Sequence, residues 1–430
     1  MNILMIFRNN PLETSGAVTL DLFNDFRAHG HHVCLLVNKY HPAYPEGVIS
    51  MESKYAHWKE RILNKLKRML GMEKRLVSNP KYHFHEADES RMFYPTSSIL
   101  KKAGMKPDAV VILFAKNFVN AKNIREIYER THAPVYWLMY DTSPLTGGCH
   151  YSWDCTGYQK LCGSCPGLYS TNPNDITHKN MLLKQKHINP INISLIIASK
   201  WQELQAEKSS LFKDKKVHKI FISINPDVFY PMPFSECRPP LNIPVDKKVI
   251  FFGAYFLNHE RKGMQYLLDA LNILHGRLKA QPRLYSNVLL LIAGLETDLI
   301  KPMLPFPFID LGMLNNSTGV AAAYRAADVF VCPSIEDAGP SMVNQSIMSG
   351  TPVVAFNQGV AMDIVIPGKT GYLASMKDAS SLAEGLYRIL MLDTEDHQEM
   401  KNNCRELGME LLNPQKNTGK WLEILENNKG

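Results

Sequence analysis

The chain alternates short continuous apolar runs with stretches whose apolar positions recur three and four residues apart, the order of strands and helices in a parallel α/β protein. Residues 2–7 form the first apolar run. A polar loop at 9–16 carries Pro11 and Gly16, residues 18–29 have helical spacing, Gly30 punctuates, and 33–37 is apolar again. That is one strand-helix-strand unit. Further strands are expected at 109–114, 135–139 and 195–198, the last running into Ser199, Lys200 and Trp201 at a helix start. The second half repeats the scheme, with strands expected at 249–254, 289–294, 329–332 and 352–356 and helices over 264–274, 322–328 and 340–348. Because the runs do not alternate apolar with polar, each strand is expected to be buried on both faces, as strands of parallel sheets are. A proline-rich stretch at 225–244 interrupts the repeat near the middle. Domains are therefore expected at 1–224 and 225–412, followed by 413–430, where Trp421, Leu422, Ile424 and Leu425 fall in helical register.

Composition agrees with two globular cores: 430 residues, 45% hydrophobic and 21% charged. There is no run of eighteen apolar residues, and the first strand begins at the N-terminus, so neither a membrane span nor a signal peptide is expected and the protein is read as cytoplasmic. No GxGxxG follows any strand and no P-loop occurs, which argues against dinucleotide oxidoreductases and P-loop kinases. The formal charge of +7 is diffuse, and the single cysteine cluster has no aromatic-basic platform beside it, so no nucleic-acid partner is expected.

The segment 329–374 carries the main chemical signal. A strand ends at Cys332, a polar loop runs from Ser334 to Gly339, and Pro340 and Ser341 open a short helix. A helix mouth after a glycine-containing loop presents unpaired N–H groups and a positive dipole end, which suit a phosphate. The same order also suits an ordinary structural turn. Upstream, Arg261 and Lys262 stand at the start of the amphipathic run 264–274, where cations oppose the helix dipole at a cost of about a few tenths of a kcal/mol. An anionic ligand accounts for them better than helix stability does, and a solvated basic turn is the other reading.

Taken in order, Pro333-Ser334, Glu336-Asp337, Gly339, Gln345, Gly350-Thr351-Pro352-Val353-Val354 and Gly368-Lys369-Thr370-Gly371 resemble the C-terminal domain of the family 4 retaining glycosyltransferases. The resemblance implies the GT-B fold: two Rossmann-like domains facing a cleft, with a C-terminal helix crossing back to the N-domain. It implies a nucleotide-diphospho-sugar donor whose diphosphate is neutralised by Arg261 and Lys262. It places Glu336 and Asp337 among the catalytic residues, and Gly16, Gly253, Gly312, Met313, Gly339, Pro340, Ser341 and Gln345 around donor and base. The family carries two glutamates eight positions apart, and here that spacing falls on Asp337 and Gln345, whose amide still hydrogen-bonds hydroxyls. The implied chemistry is retaining and needs no catalytic metal and no protein nucleophile. A non-catalytic sugar-nucleotide-binding homologue and a GT-B-type nucleotide-sugar epimerase are the alternatives.

Two further features stand out. Cys149, Cys155, Cys162 and Cys165 are spaced C-x5-C-x6-C-x2-C within the loop 141–170, close enough to wrap one tetrahedral ion, which makes structural zinc the leading reading ahead of reduced thiols and disulfides. His150 is expected to point elsewhere. The loop resembles one in a subset of bacterial polysaccharide glycosyltransferases, with Thr-Gly-Gly-Cys-His-Tyr and a later Cys-Gly-x-Cys-Pro, and that resemblance makes Asp141 a candidate for orienting the acceptor hydroxyl. A loop aspartate that caps a turn is the alternative. The segment 54–75 has Trp58, Ile62, Leu66, Met69 and Leu70 on one helical stripe with lysines and arginines around it. It suits peripheral contact with an anionic inner-membrane face near a glycan or lipid-linked acceptor, or simple packing of the stripe on its own domain.

Overall fold

The computed structural model describes residues 1–13, 16–52, 77–84, 88–257, 259–339 and 341–427; the basic segment at 54–75 lies outside them. The chain divides into two compact units, one of residues 1–197, 202–220 and 418–430 and the other of residues 198–201 and 221–417.

The first unit is built on seven parallel strands. In chain order these are β1 (Asn2–Phe7), β2 (His32–Val37), β3 (Val48–Ser50), β4 (Ala109–Phe114), β5 (Val135–Leu138), β6 (Ile193–Ile197) and β7 (Val217–Lys219), arranged spatially as β3-β2-β1-β4-β5-β6-β7. The continuous apolar runs do what their lack of alternation predicts. Ile3, Met5 and Phe7 of β1 join a core with Phe23, Phe26 and Trp421, while Leu4 and Ile6 join the opposite core with Ile124, Trp137 and Phe212. The helix Pro414–Asn427 belongs to the first of these cores through Trp421 and Leu425, with the Trp421 ring edge-on to Phe26 at 6.0 Å. The Tyr136 hydroxyl donates to the Ile424 carbonyl at 3.2 Å. The edge strands β3 and β7 were not anticipated; three residues give too little periodicity to distinguish them from loop.

The second unit has six parallel strands in the order β10-β9-β8-β11-β12-β13. They are β8 (Lys248–Phe256), β9 (Val288–Leu295), β10 (Phe308–Asp310), β11 (Val329–Cys332), β12 (Val353–Phe356) and β13 (Gly371–Ala374). Phe251 and Phe330 from the two central strands meet Tyr324 edge-on, with centroids at 5.1 and 5.2 Å, under the helix Ser317–Ala326. Both sheets are doubly wound. Strand order reverses between β1 and β4 in the first unit and between β8 and β11 in the second, and loops leaving the C-terminal ends of such a pair diverge and leave a crevice.

Candidate active site

Arg261 and Lys262 lie in the single 3-10 turn Glu260–Lys262 after β8, and Gly263 in the left-handed region separates them from the helix Met264–Leu278. They are therefore outside the helix rather than in its first turn, and the dipole argument used above does not apply to them. What fixes them is contact with the loop after β11. The Arg261 carbonyl accepts from the Ile335 and Glu336 amides at 2.8 and 3.4 Å. A Cβ on Gly263, whose φ is +66°, would lie 1.9 Å from the Pro333 carbonyl oxygen, so only glycine lets the two loops meet this closely.

The side chains converge where the backbones do. Arg261 Nη1 and Lys262 Nζ both reach Asp337 Oδ2, at 2.8 and 2.6 Å. Burial pushes the Asp337 carboxyl up, but Lys262 and Arg261 outweigh it and hold it below its ordinary value. The loop is held at further points, since Gln358 Nε2 donates to the Asp337 carbonyl at 2.7 Å and the Ser199 hydroxyl to the Ala338 carbonyl at 3.1 Å. Each such buried bond contributes about 1 kcal/mol. A cavity of about 20 Å³ sits at the ends of β8 and β11, lined among others by Gly253, Lys262, Met264, Cys332, Ser334 and Met342. Two cations from one loop and a rigid backbone from the other thus occupy the switch point of the sheet.

Around this centre, Glu336 is buried, Gly339 is half-buried, and Ser341 and Gln345 are half-buried on the helix Ser341–Met348; Pro340 lies outside the described residues. Gln345 Oε1 accepts from the Tyr324 hydroxyl at 3.5 Å. Gly312 has φ +61° and donates to Asp310 Oδ1 at 2.8 Å, while Asp310 is itself tied to Lys301 at 2.6 Å, which fixes the turn that presents Met313. The spacing of Arg261, Lys262 and Asp337 gave no sign that the three would pair, and neither Gln358 nor Gly263 had been singled out. A glycine after two cations at a strand-to-helix step was the one available cue.

In the first unit, Gly16 closes the loop after β1 tightly, since a Cβ there would fall 2.4 Å from the Asn10 carbonyl oxygen. Asp141 is buried, takes the His150 ring through Nδ1 at 2.6 Å and accepts the Ser143 amide at 2.8 Å, a pairing within its own loop that the sequence did not show. Burial pushes the Asp141 carboxyl up, and the ring of His150 with the Ser143 hydrogen bonds more than reverses this. His150, edge-on to Phe114, lines a cavity of about 40 Å³ with Asn117, Trp137, Ser143 and Lys184. Sequence spacing could not couple residues 141 and 150 across an irregular loop. The four loop cysteines line another cavity together, as free thiols, and no group of three or more His, Cys, Asp or Glu side chains among the described residues is already set to hold an ion. The closed four-cysteine site expected from the spacing is therefore not preformed.

Comparison with known proteins gives this geometry a family context. Residues 234–407, the stretch holding Arg261, Lys262 and Asp337, match the family described as Glycosyl transferases group 1. Over 259 residues the chain is 27% identical to an uncharacterized glycosyltransferase of Methanocaldococcus jannaschii, covering 57% of this chain and 61% of that protein. Over 153 residues it is 32% identical to the phosphatidyl-myo-inositol mannosyltransferase of Mycobacterium leprae, covering 34% of this chain and 38% of that one. The chain thus spans less than two thirds of the length of the curated relatives it matches. Among solved structures it resembles the sucrose-phosphate synthase of Thermosynechococcus elongatus, with TM-score 0.66, 18% identity, and 99% of this chain and 98% of that one covered. It also resembles Anabaena HepE in complex with UDP and glucose, with TM-score 0.61, 14% identity, and 99% and 100% covered. The fold is GT-B: two α/β units, each on a parallel sheet.

Proposed function

We propose that the protein is a retaining glycosyltransferase that moves a sugar from a nucleotide-diphospho-sugar to a glycan or lipid-linked glycan acceptor, in surface polysaccharide biosynthesis at the cytoplasmic face of a membrane. The observation that carries the reading is the meeting of Arg261 and Lys262 with the loop 333–339 at the switch point of a group 1 glycosyltransferase domain. Supporting it are HepE, whose complexes hold UDP and glucose, and WaaG, a lipopolysaccharide-biosynthesis glycosyltransferase of the same fold at TM-score 0.60. Among the described residues no helix is long and apolar enough to cross a membrane, and the basic segment 54–75 supports peripheral attachment instead.

Sugar transfer leaves a nucleoside diphosphate whose charge grows in the transition state. Preorganised cations that meet this charge contribute several kcal/mol because they need no reorganisation during the reaction. Arg261 and Lys262 supply that field, and Asp337 keeps both extended and aimed until the diphosphate competes for them. Gln345 is assigned the ribose contacts and the Gly312–Met313 turn the base contacts. Thermal shift with UDP, GDP and ADP sugars tests donor binding, since ligand at about a hundredfold over its dissociation constant adds about 2.7 kcal/mol to stability. Nucleotide release that depends on added acceptor identifies a transferase. Acceptor-independent conversion identifies an epimerase, and binding without turnover over an acceptor panel identifies a non-catalytic homologue, the reading that the Asp337 and Gln345 departures favour.

A further inference from the structure

The loop between β5 and the helix Ile176–Ile188 is built with unusual backbone cost. Cys162, Gly163 and Ser164 follow one another in the left-handed region, with φ of 51°, 93° and 44°. L-residues hold that region only where their surroundings over-determine it. Here the surroundings do so: the Gly163 amide donates to Thr177 Oγ1, the Ser164 amide to the Asn172 carbonyl and the Cys165 amide to Asp175 Oδ2, each at 2.9 Å. At Gly163 a Cβ would fall 2.1 Å from the Pro173 carbonyl, and at Gly147 one would fall 2.3 Å from the Thr177 carbonyl, so the wall of the loop is packed backbone to backbone.

The turn places its cysteines around a small space. Cys149, Cys155, Cys162 and Cys165 all line one cavity of about 20 Å³, roughly the room one water molecule needs. The sulfurs pack against the loop's own glycines: a Cβ on Gly157 would lie 3.5 Å from the Cys155 sulfur and 3.7 Å from the Cys162 sulfur, and one on Gly167 would lie 3.5 Å from the Cys165 sulfur. The remainder of the lining includes the aromatic rings of Tyr82, Phe84 and Tyr158.

We propose that this cavity is a structural site for one zinc ion, held by the thiolates of Cys149, Cys155, Cys162 and Cys165. The thiols ring the cavity without yet standing at ligand spacing, and binding draws them inward by side-chain rotation to about 2.3 Å from the metal. The ion takes four thiolates and releases four thiol protons, leaving a complex of charge −2 on the same loop whose Ser143 and Thr146 carbonyls anchor the Lys184 ammonium at 2.7 and 2.8 Å. With four sulfurs bound the shell is closed, so the ion has no position for substrate and acts on the loop alone. It staples the segment that also carries Asp141 and His150.

Metal analysis of the full chain, purified under reducing conditions and dialysed after addition of zinc, is expected to find one zinc per chain. The Cys162→Ser, Cys165→Ser double variant is expected to hold none. The wild-type protein loaded with cobalt(II) provides a readout that does not depend on that variant folding: a tetrahedral tetrathiolate gives intense visible bands and thiolate-to-metal charge transfer. Zinc at background level in the wild type overturns the proposal. So does a weak octahedral cobalt spectrum, or a mass two hydrogens lighter that shows a disulfide in this loop. None of these outcomes bears on nucleotide binding in the other unit.

Discussion

At the scale of single residues, the donor-side chemistry rests on one carboxylate shared by two cations. Removing one cation leaves a largely buried charge less well compensated, and losing a partner of a buried pair costs about 3–5 kcal/mol when no second cation remains. Lys262→Ala keeps Arg261 on Asp337, so it is expected to fold with a modest loss of stability. It should also abolish the thermal shift given by the matching nucleoside diphosphate; a shift equal to wild type removes the proposed clamp. The same pairing sets an acid limb. The folded Asp337 carboxyl lies below its ordinary value of 3.8, so its contribution is complete above that pH and is lost as pH falls through the lower folded value. Urea denaturation of Asp337→Asn beside wild type is expected to show a difference at neutral pH that shrinks below about pH 4. Gly263→Ala forces a Cβ against the Pro333 carbonyl at a left-handed φ and is expected to cost about 1–3 kcal/mol, read from the same denaturation curves. These residue types and positions were legible in the sequence, but their partners were not. Seventy-five residues separate Lys262 from Asp337, and only the adjacency of β8 and β11 closes that gap.

At the scale of elements, long apolar runs were legible to within a residue or two, while helix ends strayed further, the helix expected over 322–328 lying at Ser317–Ala326 and the one expected over 264–274 running on to Leu278. The run at 2–7 became β1, the run at 329–332 became β11, and the helix expected to begin at 18 begins at Ala17. The strand expected at 195–198 is shifted to Ile193–Ile197, because ladder pairing with β5 rather than hydrophobicity sets its ends. Arg261 and Lys262 were expected at a helix start and lie in a turn of their own, since left-handed Gly263 breaks the backbone between that turn and the helix. The helix Pro414–Asn427 depends on packing more than on propensity. Trp421→Ala removes a side chain only 4% exposed and is expected to destabilise the first unit by about 3–5 kcal/mol, measured by denaturation of the full chain.

At the scale of the whole molecule, each unit has its own sheet and its own buried cores, so the two are expected to respond separately to ligands. Calorimetry is expected to show a nucleoside diphosphate raising the transition of the unit with residues 221–417 and leaving the other in place; equal movement of both would contradict this. The sequence by itself determined the α/β class, the parallel sheets and the loops from which donor chemistry is expected, because period and punctuation are local properties that any short window displays. Tertiary structure alone decided that Asp337 bridges Arg261 and Lys262, that Asp141 holds His150, and that four spaced cysteines share one cavity. Those outcomes depend on which loops the strand order makes neighbours and on the direction in which each backbone turn aims its side chain, and neither is encoded in spacing along the chain.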